Sequence, residues 1–319
     1  MKAKEVGRRL RFQWWPLRYF VQLVLFLALN ALILSRVFLY IKPFRFSVPL
    51  PVLVSVNSPS SAAVGVLDAI QVMLSRAEFP WIALAVVFVL GAILGRLFCG
   101  WACPVGFVQE LIIDARGKKI DVSLRTHRPA RSLKFLVLAG TLFVSVSLAL
   151  STKLGVGEDY RQALGVFAQD PFVVISPDGT LFGTVPWFIG RIREIFFGLT
   201  PVNLTTDVVY GWFGAITTQL AVKLVLLAVV LIGAYSIPWF WCRYLCPVGA
   251  MMGLFGRFSL LGMSRNPLKC EKCPHCEKKC PTQIPILDLP WEKFNDQECI
   301  LCMECVDACP HGALKPKFP

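Results

Sequence analysis

Two cysteine-rich runs near the C-terminus stand out: KCEKCPHCEKKCP at residues 269–281 and ECILCMECVDACP at residues 298–310. In each run the spacing is C-x2-C-x2-C-x3-C-P, which places three thiols on one tight loop and a fourth just before a proline. The chain has twelve cysteines, and the remaining four lie in CGWACPVG at 99–106 and CRYLCPVG at 242–249. Because every cysteine belongs to a motif, we interpret them as ligands for metal and electron chemistry.

The two C-terminal runs resemble the bacterial two-cluster ferredoxin pattern, in which the fourth cysteine of each run ligates the other [4Fe–4S] cluster. Zinc sites usually show paired knuckles with a long spacer, and disulfide scaffolds belong to small secreted domains, so both alternatives are disfavoured. The predicted ligands of cluster 1 are Cys270, Cys273, Cys276 and Cys309. Those of cluster 2 are Cys280, Cys299, Cys302 and Cys305.

The composition predicts a membrane protein. The chain is 55% hydrophobic and has a mean hydropathy of +0.61, above the usual range for globular proteins. Four stretches without charged residues are near the lower length limit for crossing a hydrocarbon core of about 30 Å. They are Tyr19–Ser35, Phe79–Gly95, Phe135–Thr152 and Leu224–Cys242. We therefore expect an all-α membrane protein with four transmembrane helices, followed by a ferredoxin domain.

The C-x3-C-P motifs indicate an internal repeat, since Cys99 aligns with Cys242 and Cys103 with Cys246 at one constant offset. Both motifs end a predicted span in the same orientation, as in parallel repeats. The expected organisation is a membrane domain at 1–264, with halves at about 1–130 and 131–264 and an external stretch at 151–218. A two-cluster ferredoxin domain follows at 265–319. The segment 195–222 is expected either to lie in the interface or to re-enter the bilayer.

Basic residues predict the orientation. Arg8, Arg9 and Arg11 precede the first apolar run, which is too long for a cleavable signal, and the link 99–134 is also rich in Lys and Arg. Both termini and both clusters are therefore predicted to be cytoplasmic. A net charge of +13 is explained by basic cytoplasmic faces, so nucleic acid is not expected as a partner.

Three interpretations remain open for Cys99, Cys103, Cys242 and Cys246. They are a third metal centre, two redox-active dithiols, or buried structural thiols. Positions i and i+4 share one helix face, so both thiols of a motif would point the same way. The proline after the second cysteine suits the first turn of a new helix.

Together, the C-x3-C-P motifs and the tandem cysteine runs resemble the NapH/MauN family of membrane polyferredoxins over nearly the whole chain. The resemblance implies a protein of the bacterial inner membrane that passes electrons from the quinol pool toward a periplasmic reductase. It also implies a separate iron–sulfur or cytochrome subunit as a partner. The alternative is a polyferredoxin that reduces a metal or thiol during maturation or regulation of a respiratory metalloenzyme.

The other redox cofactors have no support in the sequence. The three histidines, His127, His275 and His311, lie outside the predicted spans, so a haem with two axial histidines is not expected. No G-x-G-x-x-G motif supports a nicotinamide site, and no flavin site is expected. Arg96 and Trp101 lie beside the first C-x3-C-P motif, where a cytoplasmic-side quinol site is preferred.

Overall fold

The computed structural model describes residues 13–30, 48–54, 63–117, 129–165, 172, 175–185 and 218–318. The helices in chain order are α1 (Trp14–Leu29), α2 (Val66–Ser75), α3 (Trp81–Leu94), α4 (Leu97–Trp101), α5 (Pro104–Arg116), α6 (Leu133–Lys153), α7 (Gly157–Leu164), α8 (Thr218–Ser236), α9 (Phe240–Tyr244), α10 (Pro247–Gly256), α11 (His275–Lys279) and α12 (Glu304–Asp307). The strands are β1 (Gly262–Arg265) and β2 (Leu314–Lys317). A π-helical turn covers Gly179–Thr184 and a 3₁₀ turn covers Ile286–Asp288.

The helices around the C-x3-C-P motifs occur as two matching sets. Helices α3, α4 and α5 in the first half correspond in order to α8, α9 and α10 in the second. Cys99 and Cys242 each lie in the short middle helix, while Cys103 and Cys246 are the N-cap residues of α5 and α10. A proline opens each of these last helices, where its missing N–H removes no helical hydrogen bond.

The prediction of four transmembrane helices is wrong. In the ranges given above, α6 is the one helix that is long and apolar enough to cross a membrane, judged by length and composition. Helices α1 and α3, with 16 and 14 residues, are shorter than the spans predicted there, and the stretch Ala221–Ser236 of α8 is likewise a shorter apolar helix. Helix α3 is bounded by Pro80 and by Gly95, whose φ of 57° lies in the left-handed region. Helix α1 ends at Leu29, and residues 31–35 of that span lie outside the described residues.

The predicted span Leu224–Cys242 is interrupted at its C-terminal end. Helix α8 ends at Ser236, two residues before Pro238, and Cys242 belongs to the separate helix α9. Proline cannot continue the hydrogen-bond ladder, which explains the break. The cytoplasmic orientation, which rests on the basic residues near the predicted spans, stays a prediction. Residues 186–217, which include most of the segment 195–222, lie outside the described part of the chain.

The C-terminal region, residues 262–318, folds around its own small core. Strands β1 and β2 pair antiparallel, with Gly262 opposite Lys317 and Arg265 opposite Leu314. Between the strands the chain forms the two cysteine loops, and a set of buried apolar side chains fills the centre. This set includes Met263, Ile284, Ile286, Phe294 and Leu314.

The C-terminal region packs against the N-terminal helix. The carboxylate of Asp307 accepts hydrogen bonds from the backbone N–H groups of Trp14 (3.1 Å) and Trp15 (2.9 Å) at the start of α1. An acidic group at that end satisfies unpaired N–H groups and complements the helix dipole. The two ends of the chain therefore meet in the fold.

Candidate iron–sulfur sites

One cavity in the C-terminal region, which we name cavity 1, is lined by cysteines of both runs. Three come from the first run, and the fourth, Cys309, comes from the second: Cys270, Cys273, Cys276 and Cys309. Arg265, His275 and His311 also line it. The backbone N–H of Ala313 donates to the Cys309 sulfur at 3.3 Å, which orients that thiol. The structure thus brings together the four residues predicted for cluster 1.

A second cavity, cavity 2, shows the reciprocal arrangement. It is lined by three cysteines of the second run and one of the first: Cys280, Cys299, Cys302 and Cys305. Apolar side chains such as Met263, Ile284 and Phe294 form its other walls. This is the set predicted for cluster 2. That the sulfurs ligate clusters stays a prediction, although the crossed arrangement is the one the ferredoxin spacing requires.

The two ligand loops share a backbone feature. Lys272 and Leu301 occupy equivalent positions, directly before the second cysteine of each run, and both have positive φ values (55° and 51°). Residues other than glycine adopt this conformation at a cost of about 1–3 kcal/mol, and such strain concentrates at functional sites. The left-handed residue turns each loop so that its thiols line one cavity.

The donor chemistry fits a buried metal cluster. Burial raises the pKa of Cys299 to about 12, and burial also raises the pKa of Cys305 well above its ordinary value. Such thiols ionise at neutral pH only when a cation or metal stabilises the thiolate. A tetrahedral zinc ion with bonds of about 2.3 Å needs sulfurs about 3.8 Å apart. Within the described part of the chain, no three His, Cys, Asp or Glu side chains are placed to hold a single ion.

The C-x3-C-P cysteines form a third group, the tetra-thiol group, made of Cys99, Cys103, Cys242 and Cys246. All four are buried, with exposed fractions between 4% and 7%. Thiolate charges on these residues would repel one another across the two halves, since Cys242 interacts electrostatically with the other three cysteines. The Cys242 sulfur accepts a hydrogen bond from Gln109 Nε2 at 3.2 Å, and the Cys246 sulfur accepts one from the Gly249 N–H at 3.3 Å.

The expectation that each C-x3-C pair lies on one helix face is wrong in detail. Helix α4 ends at Trp101, so Cys103 lies in the turn that starts α5, and the same break separates Cys242 from Cys246. The thiols meet because the chain turns between two helices, not because one helix presents both. The burial of the four thiols also argues against their use as redox-active dithiols.

Redox-active dithiols need an accessible thiolate. Burial of the Cys103 thiol, and to a smaller extent its proximity to Cys99, raises the pKa of Cys103 to about 11. Burial of the Cys246 thiol, and to a smaller extent its proximity to Cys99 and Cys103, raises the pKa of Cys246 to about 12. Buried thiols of this kind are poor nucleophiles. The geometry therefore favours a metal centre or structural packing over exchange with a soluble dithiol.

The tetra-thiol group lies directly behind cavity 2. A Cβ atom on Gly100 would lie 2.5 Å from the carbonyl oxygen of Ile300, so only glycine permits this approach of α4 to the second ligand loop. Trp101 Nε1 donates to the carbonyl oxygen of Leu301 at 2.8 Å. Ile300 and Cys302 belong to the same buried cluster of side chains as the four thiols.

Three buried arginines hold the loops of cavity 2, and each donates to the backbone carbonyl of a cysteine or of a residue within two positions of one. Arg18 donates to Cys302 (3.0 Å), Arg96 donates to Gln297 (3.0 Å), and Arg243 donates to Pro281 (3.2 Å). Sequence reasoning missed this role for all three. The signal was present, because a charged residue inside or beside an apolar segment needs a buried partner. Arg96 and Trp101 therefore support a ligand loop, which differs from their expected place near a quinol site.

Arg96 also belongs to a buried charge network around Glu298. Its Nη1 lies 2.6 Å from Glu298 Oε2, and the other carboxylate oxygen contacts Lys134 and Arg131. Burial alone would raise the pKa of Glu298, but Arg96, Lys134 and Arg131 lower it to about 2. Burial alone would lower the pKa of Arg96, but Glu298 and the Cys99 thiol raise it above its ordinary value. Glu298 directly precedes Cys299, so the network fixes the start of the second ligand loop.

Family models match three parts of the chain. A model described as a 4Fe-4S binding domain matches residues 79–123 and again 219–265. The first match contains Cys99 and Cys103, and the second contains Cys242 and Cys246. A model described as a 4Fe-4S dicluster domain matches residues 269–314, which contain the eight C-terminal cysteines.

Curated relatives agree with these matches. An uncharacterized protein of Methanocaldococcus jannaschii, MJ0750, is 31% identical over 72% of this chain and 76% of its own length. The putative electron transport protein YccM of Escherichia coli is 29% identical over 71% and 52%, respectively. The ferredoxin-type protein NapH of Escherichia coli is 25% identical over 70% and 63%. No solved structure matches this chain. The chain belongs to the NapH-type family of iron–sulfur electron-transfer proteins.

Proposed function

We propose that this chain is a membrane-associated electron carrier that holds a [4Fe–4S] cluster in cavity 1 and a second in cavity 2. The observation that carries the proposal is the crossed lining of the cavities, in which Cys309 completes the first set and Cys280 completes the second. When bound, such clusters accept and release single electrons. The surrounding chain limits the access of water to these sites, since Cys276, Cys302 and Cys309 are each less than a tenth exposed and the other five cysteines are half-buried.

The buried arginines contribute charge as well as hydrogen bonds. A cluster held by four thiolates is anionic, and each added electron increases its negative charge. Arg243 is electrostatically coupled to Cys280, and Arg18 to Cys302, so both cations lie near ligands of cavity 2. Cations in a low-dielectric environment offset this charge more strongly than surface cations do. We attribute to these arginines the stabilisation of the anionic site.

The tetra-thiol group is proposed as a third iron–sulfur or metal centre. Support comes from four mutually coupled, buried thiols, and from the 4Fe-4S binding model that matches both halves. A further support is Arg96, which is electrostatically coupled to Cys99 and Cys242 and has a buried Nε atom without a hydrogen-bond partner in the described structure. The buried Arg96 cation would compensate a cluster of thiolates.

The order of the three sites follows from the contacts at Gly100 and Trp101. These contacts place cavity 2 beside the tetra-thiol group, and cavity 1 is reached through the C-terminal region. We propose that α6 anchors the carrier in the membrane, and that quinol gives its electrons to the carrier at the membrane surface. A separate iron–sulfur or cytochrome subunit and a terminal reductase would complete the chain of carriers.

Anaerobically purified protein tests the proposal. Two cubes require about eight iron atoms and eight acid-labile sulfides per chain. Addition of a quinol analogue should then produce the EPR signals of reduced [4Fe–4S] clusters. Reduction by quinol supports the electron carrier, whereas clusters that reduce a copper ion or a protein disulfide but do not respond to quinol support the maturation alternative. Bound zinc with little sulfide contradicts both.

A further inference from the structure

Arg265 is held rigidly at the end of β1, next to cavity 1. It is 3% exposed, and its Nη2 donates to the carbonyl oxygens of Leu287 (3.0 Å) and Leu289 (2.9 Å). Its guanidinium lies 3.9 Å from the ring centroid of Trp291, a favourable cation–π contact. These contacts leave the guanidinium little freedom to turn.

Two of the three guanidinium nitrogens of Arg265 remain available as hydrogen-bond donors. Nε and Nη1 are buried and have no hydrogen-bond partner within the described structure, while the residue lines cavity 1 together with the four cysteines. A buried charged donor without an acceptor is costly, so its retention calls for an acceptor at this place. The thiolate sulfurs of cavity 1, and the inorganic sulfides of a cluster held there, are acceptors of the required charge.

We propose that Arg265 donates hydrogen bonds through Nε and Nη1 to the sulfurs of the cluster in cavity 1 and so raises its reduction potential; this inference rests on the proposed cluster assignment. Reduction adds one negative charge to the cluster. A buried cation and N–H donors stabilise that charge, and hydrogen bonds to sulfur are a recognised determinant of cluster potential. Arg265 lines cavity 1 and is not among the lining residues of cavity 2, so we expect its effect at one cluster.

The test is a redox titration of the anaerobic protein, followed by EPR, for Arg265→Gln and Arg265→Lys. We expect Arg265→Gln to lower the reduction potential of one cluster by at least about 59 mV, which corresponds to a tenfold change in the equilibrium constant of a one-electron couple. The other cluster serves as the internal reference and should not move. Arg265→Lys keeps the charge but loses the planar donor pair, so its shift should be smaller and of the same sign.

Lys315→Gln is the matched control. Lys315 is exposed on β2 and does not line cavity 1, so removal of the same charge should leave both potentials within error because water screens it. A second measurement covers the case in which Arg265→Gln fails to assemble. In wild-type protein labelled with ¹⁵N-arginine, pulsed EPR should detect a nitrogen coupling to one cluster, and Arg265→Lys should abolish it.

The outcomes separate this inference from the proposed function. Absence of two cubes from wild-type protein contradicts the proposed function itself. Two intact cubes with unchanged potentials in both Arg265 variants overturn the role of Arg265 alone. Equal shifts of both clusters, or a shift of the same size in Lys315→Gln, also overturn it, since a general charge effect would then suffice.

Discussion

Arg96 and Trp239 are equivalent residues of the two halves, and each packs against the glycine that begins the other half's proline-capped helix. Both are N-cap residues, of α4 and α9 respectively. A Cβ atom on Gly249 would lie 3.0 Å from Arg96 Nη2, and one on Gly106 would lie 3.0 Å from the Trp239 ring. This reciprocal contact interlocks the halves around the tetra-thiol group.

The reciprocal contact is chemically asymmetric. Trp239 contributes an apolar ring, whereas Arg96 continues to Glu298 and the ligand loop of cavity 2. Within this pair, Trp239 therefore serves packing and Arg96 connects the tetra-thiol group to the C-terminal region.

The crossed ligand sets predict which thiols a substitution exposes. Cys280→Ser should disable cavity 2 and free Cys299, Cys302 and Cys305 for alkylation, although Cys280 belongs to the other cysteine run. Mass spectrometry after anaerobic alkylation identifies the labelled residues. Labelling of Cys270, Cys273 and Cys276 instead would contradict the crossed assignment, and Cys309→Ser should give the reciprocal pattern.

Substitution of one cysteine in the tetra-thiol group should block electron entry without removing the two clusters of cavities 1 and 2. Cys99→Ser or Cys242→Ser should abolish cluster reduction by quinol while chemically reduced protein keeps its two ferredoxin-type EPR signals. Iron analysis decides the chemistry, since a metal centre predicts a lower iron content and structural thiols predict an unchanged one. Wild-type quinol reduction in both variants would return these cysteines to a packing role.

Gly100→Ala should disturb the contact between α4 and cavity 2. The new Cβ would lie 2.5 Å from the Ile300 carbonyl, so the ligand loop must move. We expect loss of stability by about 1–3 kcal/mol, as for overpacked cores, and a changed EPR signal of one cluster. Gly140→Ala is the control, because a Cβ there meets nothing within 4 Å and alanine favours the helix. Equal behaviour of the two variants would contradict the close approach.

Glu298→Gln should leave Arg96, Lys134 and Arg131 without their common anion. Removal of one partner of a buried ion pair costs about 3–5 kcal/mol, so denaturant unfolding should show a large loss. Glu158→Gln breaks an exposed pair with Arg161 and should cost less than about 1 kcal/mol. Similar losses in the two variants would show that the network is solvated.

Phe143→Asp tests whether α6 contacts lipid. Phe143 is 73% exposed in the middle of this helix, and a central aspartate costs about 2.5–3.5 kcal/mol in membrane insertion. The protein recovered with membranes after alkaline extraction should fall sharply. Leu154→Asp changes a residue of similar exposure just beyond the helix end and should have a small effect. An unchanged membrane fraction for Phe143→Asp would contradict insertion of α6.

Hydropathy alone was a poor guide to the helices. It registers the apolar character of Phe79–Gly95 and Leu224–Cys242, but Gly95 and Pro238 end the helices within those runs. The C-x3-C spacing misled for a related reason, because it fits one helix turn, yet the chain bends before Cys103. Glycine and proline residues cause such local backbone breaks, and a hydropathy profile does not register them.

The sequence by itself determined which cysteines come together: the spacing of the two C-terminal runs encodes loops whose cysteines line two cavities, and the repeated motif pairs four further thiols. Short-range spacing suffices there because a tight loop has few conformations. Only the tertiary structure decided how the sites connect, through contacts such as Arg18 with Cys302, 284 positions apart. Such contacts arise when buried charges and donors far apart in the chain find partners during packing, and no local pattern encodes that choice.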